Sequence, residues 1–199
     1  MSKQVTTPEF RVSFPKLFTP EEYGGKMQYS AELLFAPGTD LSDLKAAAGE
    51  AAMEYFKGNI PQGLVSPFKN GDEFNAQRVR DGKTELEAYR GVTFLRVNSF
   101  NLPRVVDQNV EDIPAMNADK VYAGSYGFAQ LGAAGWTYQG RNGVKFYLNM
   151  YQFARDGERL DSREDVKDVF NRIPGAANGA TDPSTQSTGS DAGAGGLFD

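Results

Sequence analysis

Along VKFYLNMYQF, residues 144–153, side-chain character alternates with a period of two. Val144, Phe146, Leu148 and Met150 fit a core, while Lys145, Tyr147, Asn149, Tyr151 and Phe153 fall on the other face of a strand. One cation, one amide and three rings make an odd set to present to water. Rings of this kind are platforms on which unpaired bases stack, each such contact being worth roughly 1–3 kcal/mol, and lysine reaches phosphate oxygens. The same pattern suits a strand buried on both faces, its second face closed by a helix. Trp136, Tyr138 and Arg141 lie across the same turn and extend such a platform, unless Trp136 plugs one end of the sheet. Tyr122, Tyr126 and Phe128 form a comparable ladder. Arg96 interrupts the apolar run 92–97 and is either paired with a carboxylate or turned towards a groove.

Other chemistry lacks its parts. The 199 residues include no cysteine and no histidine, which removes thiolate nucleophiles, disulfides, the usual zinc sites and the commonest general base. The acids of DSREDVKD read as a solvated helix face, and Asp107 and Asp112 as loop residues. Gly132-Ala133-Ala134-Gly135 lacks the lysine of a phosphate-binding loop. We expect no catalysis, no cofactor and no metal. MSKQVTTPEF lacks the apolar run of a signal peptide, and no apolar stretch approaches the ~18 residues of a membrane span. A soluble, intracellular protein with no membrane partner is expected.

Formal net charge is −5, but its distribution matters more than its sum. From Arg78 to Arg104 six basic residues, Arg96 and Arg104 among them, face three acidic ones, whereas 173–199 holds three aspartates and no base. A local cationic surface and an anionic tail are compatible with this segregation.

The elements that must position these residues are mostly strands. FRVSFPKLF (10–18) reads as a strand edged by Pro15, and KMQYSAELLFA (26–36) as a half-buried one. A helix from Thr39 or Asp40 to about Lys57 carries an alanine-rich stripe and stops at Gly58. Residues 59–88, with NIPQG, KNGDE and RDGK, read as a long irregular excursion. Strands resume at 90–100, 104–106 and 121–131, and a hairpin follows with its turn at Arg141-Asn142-Gly143. A short helix is expected over 163–171. From Ile173 the chain is almost wholly Gly, Ala, Ser, Thr, Pro, Asn, Asp and Gln, too little apolar area to offset the entropy of ordering it. The expected fold is mainly β (α+β): an antiparallel β-barrel with one main helix, a short C-terminal helix and long loops. One domain spans 1–172, followed by a disordered, weakly acidic tail, 173–199.

Several stretches resemble a family of bacteriophage single-stranded-DNA-binding proteins. RVSFPKLFTP followed by GGKMQYSAELLF, then PFKNGDE, KVYAGSYGFAQ, and GVKFYLNMYQFARDGERL with DVKDVF occur in that family's order and spacing over most of 10–171. The resemblance implies an oligonucleotide/oligosaccharide-binding (OB) β-barrel that coats single strands during phage DNA replication and recombination, in the cytoplasm of the infected bacterium. Duplex DNA is a second candidate ligand, and a homodimer is compatible with the pattern. The resemblance transfers no DNA contacts residue by residue. The candidate DNA-binding set therefore rests on strand geometry: Arg96, Arg104, Tyr122, Trp136, Tyr138, Arg141, Lys145, Tyr147, Tyr151 and Phe153.

The terminal DAGAGGLFD holds two large apolar side chains out on a flexible stem. In the light of the resemblance it is a diluted form of the acidic, aromatic-ended tails that recruit polymerases and helicases. Asp191, Leu197, Phe198 and Asp199 would carry that contact. A different class of reading, a phage structural or assembly protein using the β-domain for protein contacts, predicts no affinity for oligo-dT.

Overall fold

The computed structural model describes residues 4–160. The expected helix at 163–171 and the tail with Asp191, Leu197, Phe198 and Asp199 lie outside the described residues. Among the described residues eight strands run in chain order: β1 (Gln4–Thr6), β2 (Phe10–Tyr23), β3 (Lys26–Phe35), β4 (Phe68–Asn70), β5 (Thr93–Ser99), β6 (Arg104–Val106), β7 (Tyr126–Tyr138) and β8 (Arg141–Arg155). Helix α1 (Ser42–Tyr55) follows β3, and α2 (Gly71–Arg80) follows β4.

The sheet closes on itself as a ring in which β7 pairs β2, β2 pairs β3, β3 pairs β5, β5 pairs β8, and β8 returns to β7. Five strands in a ring cannot all alternate in direction, since an odd cycle forces one parallel pairing. That pairing is β5–β8, with Val97 opposite Phe146 and Asn98 opposite Tyr147. Strand β6 also joins β8 in parallel. The mainly β expectation holds, with these two pairings departing from an all-antiparallel sheet.

Alternation on each strand sends one set of side chains inward. Phe10, Val12, Leu17, Ala31, Leu33, Phe35, Leu95, Val97, Leu131, Val144, Phe146 and Leu148 are buried together. Helix α1 packs against β7, β8 and β1 through Leu44, Ala47, Ala48, Ala51 and Ala52, so its alanine stripe permits close approach to the sheet. The Asp40 carboxylate accepts from Ser42 N–H at 2.9 Å ahead of the first turn, which holds its pKa below the ordinary value.

Two expectations are corrected. The excursion 59–88 contains α2, whose Asn70 side chain accepts from the N–H groups of Asp72 and Glu73 at 2.8 and 3.1 Å. The Asn-Gly-Asp that reads as a turn is thus an N-cap, and α2 has too few apolar residues to show helical periodicity. Its Phe74 joins Leu86, Ala88 and Val92 over Leu34, Tyr89 and Phe94, a small second core outside the ring. Second, the hairpin turns at Gln139-Gly140, both at positive φ, because Tyr138 pairs Arg141. Asn142 and Gly143 lie within β8. Gly143 is required there by the Trp136 ring, which lies 2.5 Å from where a Cβ would stand.

Candidate nucleic-acid interface

The outward faces of β3, β5 and β8 meet the irregular middle of β2 in a groove of about 370 Å³. Gln28, Ser30 and Glu32 come from β3, Arg96 and Asn98 from β5, and Lys145 from β8; Phe14 and Tyr23 come from β2. The second core sets one end of this face, because Leu34 and Phe94 are covered by α2 whereas Glu32 and Arg96 are the next outward pair.

Phe14 occupies its place through a backbone break. Register between β2 and β3 shifts between Ser13 and Lys16, and Phe14 takes φ +47° and is 53% exposed. Pro15 has no N–H for the ladder, so the strand bulges here and aims the ring outward. A bulky residue in the left-handed region is strained, and such strain gathers at sites that bind. Phe14 also lines two further depressions, one of about 420 Å³ with Arg11 and Leu86–Tyr89 and one of about 640 Å³ with Lys16, Phe18 and Tyr122.

Cations and rings adjoin one another across the groove. Lys145 Nζ lies 4.4 Å from the centroid of the Tyr147 ring, and Tyr147 sits opposite Asn98. Arg96 Nε donates to Glu32 Oε1 at 2.6 Å, and its guanidinium carbon is 5.0 Å from the Phe74 centroid and 5.6 Å from that of Phe94. Arg96 therefore does both things its position allowed: it is paired, and it faces the groove. The Tyr89 hydroxyl donates to the second Glu32 oxygen, and burial with the nearby carboxylate pushes the Tyr89 pKa far above its usual value. Asn98 donates to Gln28 at 2.6 Å.

Of the ten residues selected on strand geometry, the structure brings Arg96, Lys145 and Tyr147 together. Tyr151 and Phe153 are corrected: both are sealed in the core, with Tyr151 only 1% exposed and in edge contact with Phe10 at 5.9 Å. The cause is a bulge. Gln130 pairs Met150 and Leu131 pairs Leu148, so Asn149 is skipped and the side chains from Met150 to Phe153 change face. Met150, assigned inward, points out instead. Burial raises the Tyr151 pKa, and Gly127 leaves room for its hydroxyl, which would stand 2.6 Å from a Cβ there.

The other residues stand elsewhere. Arg104, on β6, is held by Asp112 through two bonds of 2.7 and 3.2 Å, raising the arginine pKa and lowering that of the carboxylate. Tyr122 lines the 640 Å³ depression, where its hydroxyl donates to Asp156 at 3.0 Å and accepts from Gly157 N–H at 3.1 Å. Burial raises its pKa, and the Arg159 guanidinium lies 4.4 Å from its ring. Trp136 is half-buried over Gly143, and Tyr138 and Arg141 are exposed at the hairpin tip. Phe14, Tyr23, Gln28 and Asn98 are groove residues the sequence reading passed over. The one local signal was an aromatic directly before a proline inside a strand.

Among the described residues no group of three or more acidic side chains is placed to hold a metal ion. No described helix is long and apolar enough to cross a membrane.

A ring-closed sheet with rings, amides and cations along one outer face is the OB-like class of fold, whose outer groove receives oligomers. The sequence profile of the Enterobacter phage Enc34 ssDNA-binding protein family matches residues 3–181, and the chain belongs to that family. The function described for the family is binding, not catalysis. Among solved structures, the Enc34 single-stranded DNA-binding protein in complex with ssDNA is similar at TM-score 0.65 and 17% identity, covering 79% of this chain and 89% of that one. A second structure of the single-stranded DNA-binding protein from bacteriophage Enc34 gives 0.62 and 18%, covering 84% and 90%. The single-stranded DNA-binding protein gp2.5 of bacteriophage T7 gives 0.54 and 15%, covering 89% and 99%. Among curated proteins, none matches the sequence.

Proposed function

We propose that the protein binds single-stranded DNA non-catalytically and without reading its sequence, in the groove between β2, β3, β5 and β8. Phe14 and Tyr147 are the stacking platforms, and Lys145 is the phosphate contact. The observation that carries this is the juxtaposition of an outward, strained Phe14 with the Lys145–Tyr147 pair across an open groove of a closed sheet. Membership of an ssDNA-binding family supports it. Stacking is indifferent to base identity because every base has a flat face, and lysine reads only charge.

The biological role we propose is coating of strands exposed during phage DNA replication and recombination in the bacterial cytoplasm. The tail residues Asp191, Leu197, Phe198 and Asp199 then recruit replication proteins such as a polymerase or helicase. The net charge of −5 does not oppose the binding step, since the attraction is set by the local field in the groove.

The test is fluorescence titration of a labelled oligo-dT at two salt concentrations, with unlabelled duplex as competitor. Binding is expected to weaken with salt, and Lys145→Gln with Tyr147→Ala is expected to weaken it by at least tenfold, taking about 1.4 kcal/mol as the smallest combined loss. A wild-type protein that ignores oligo-dT at low salt refutes the proposal.

A further inference from the structure

The groove contains a carboxylate where a phosphate backbone is to pass. Glu32 stands on the outward face of β3, opposite Arg96 in the β3–β5 register. The two partners differ in freedom: the Glu32 side chain is 14% exposed and that of Arg96 is 55% exposed. One Glu32 oxygen accepts from the hydroxyl of Tyr89, a residue wholly buried in the second core, and the other accepts from Arg96 Nε. Arg96 is steadied from behind by the rings of Phe74 and Phe94.

We propose that Glu32 is a positioning residue that limits affinity: it withholds Arg96 from the DNA backbone and keeps bound strand displaceable. The proposal rests on the groove reading above. Its physics is charge bookkeeping. A guanidinium already neutralised by a fixed carboxylate displaces no counterion from a nearby phosphate, so it adds nothing to the salt-dependent part of binding. When a strand arrives, Glu32 cannot swing aside to free its partner, because Tyr89 anchors it to the second core. A carboxylate left under the backbone also repels it. Cations in the groove therefore count for less than their number, and the difference is expected to appear as faster dissociation. For a protein that coats strands which other enzymes must then reach, a coat that can be stripped is useful.

Glu32→Gln tests this directly. Glutamine keeps a carbonyl oxygen for the Tyr89 hydroxyl but presents an amide to Arg96, which becomes an uncompensated cation. We expect the slope of log Kobs against log salt to steepen by about 0.7, which over the range from ~1 M to ~50 mM salt tightens oligo-dT binding about eightfold. In an Arg96→Gln background the same substitution is expected to leave the slope unchanged. Arg96→Gln alone, which does not depend on how well the Glu32 variant folds, is expected to leave the slope at the wild-type value. Lys145→Gln is the control for the groove itself and is expected to flatten the slope by about 0.7. If Lys145→Gln flattens the slope and Arg96→Gln flattens it equally, Arg96 already holds a phosphate and the inference is overturned. It is overturned too if Glu32→Gln lowers thermal stability with the slope unmoved, the signature of a purely structural pair. No effect of Lys145→Gln removes the groove reading instead.

Discussion

Replacing Phe14 by glycine separates binding from folding more cleanly than any other change in the groove. Phe14 sits at φ +47°, a conformation that costs an L-residue about 1–2 kcal/mol and glycine almost nothing. Against that gain stand two losses. Glycine loses about 0.5–1 kcal/mol more backbone entropy on folding, and deleting a ring that is only half-buried forfeits about 1 kcal/mol of apolar burial. The sum lies within about 1 kcal/mol of zero, so the melting temperature is expected to move by no more than about 4 °C. Binding has no such compensation. Losing one stacking platform at roughly 1–3 kcal/mol weakens oligo-dT affinity by about 5- to 150-fold. Fluorescence anisotropy with labelled oligo-dT reads the affinity, and circular-dichroism melting reads the fold. Phe14→Ala, which deletes the ring but keeps the strain, is expected to lose as much affinity and to melt lower than the glycine variant. Affinity within about twofold of wild type for both variants, well short of the loss of one stacked base, refutes the assignment of Phe14 as a platform. A drop of more than about 8 °C in the glycine variant shows instead that the ring belongs to the core.

Tyr151 tests the correction of strand face. Tyr151→Phe is expected to leave oligo-dT affinity unchanged, while Tyr151→Ala is expected to destabilise the fold by about 3–5 kcal/mol in a urea melt, as for other buried rings; a specific loss of affinity in the phenylalanine variant contradicts this. Alkaline titration followed by tyrosinate absorbance is expected to proceed in two stages. Tyr89 and Tyr151 have pKa values raised by burial, so the stability they contribute is intact below about pH 10 and falls as pH rises beyond it. Their ionisation should therefore form the later stage and coincide with loss of tertiary structure; a titration complete before that loss refutes their burial.

Much of the fold was legible in the chain because period-two and period-3.6 patterns are local properties. The strands at 10–18, 26–36 and 104–106 and the alanine-striped helix needed only the alternation of neighbours to be found. The absence of cysteine and histidine disposed of most catalytic readings by composition alone, and the family resemblance carried by KVYAGSYGFAQ and GVKFYLNMYQF agrees with the profile match over residues 3–181. Helix α2 escaped because its capping residues are also turn residues, and the choice between the two was made by Phe74 finding Tyr89 and Phe94.

The site was legible only in part. Alternation assigns faces correctly until a strand skips a residue, and whether it skips depends on how two strands share a ring that must close. The bulge at Asn149 turned Tyr151 and Phe153 into the core, and the break at Phe14 turned a strand aromatic out of it. Arg96 shows the same division. Its charge and strand position could be read from the sequence, but its partner lies 64 positions away in the chain. Local sequence thus determined which residues form strands and which chemistry they can offer. Closure of the sheet decided which of them face the groove, because pairing register is a property of two strands and not of either alone.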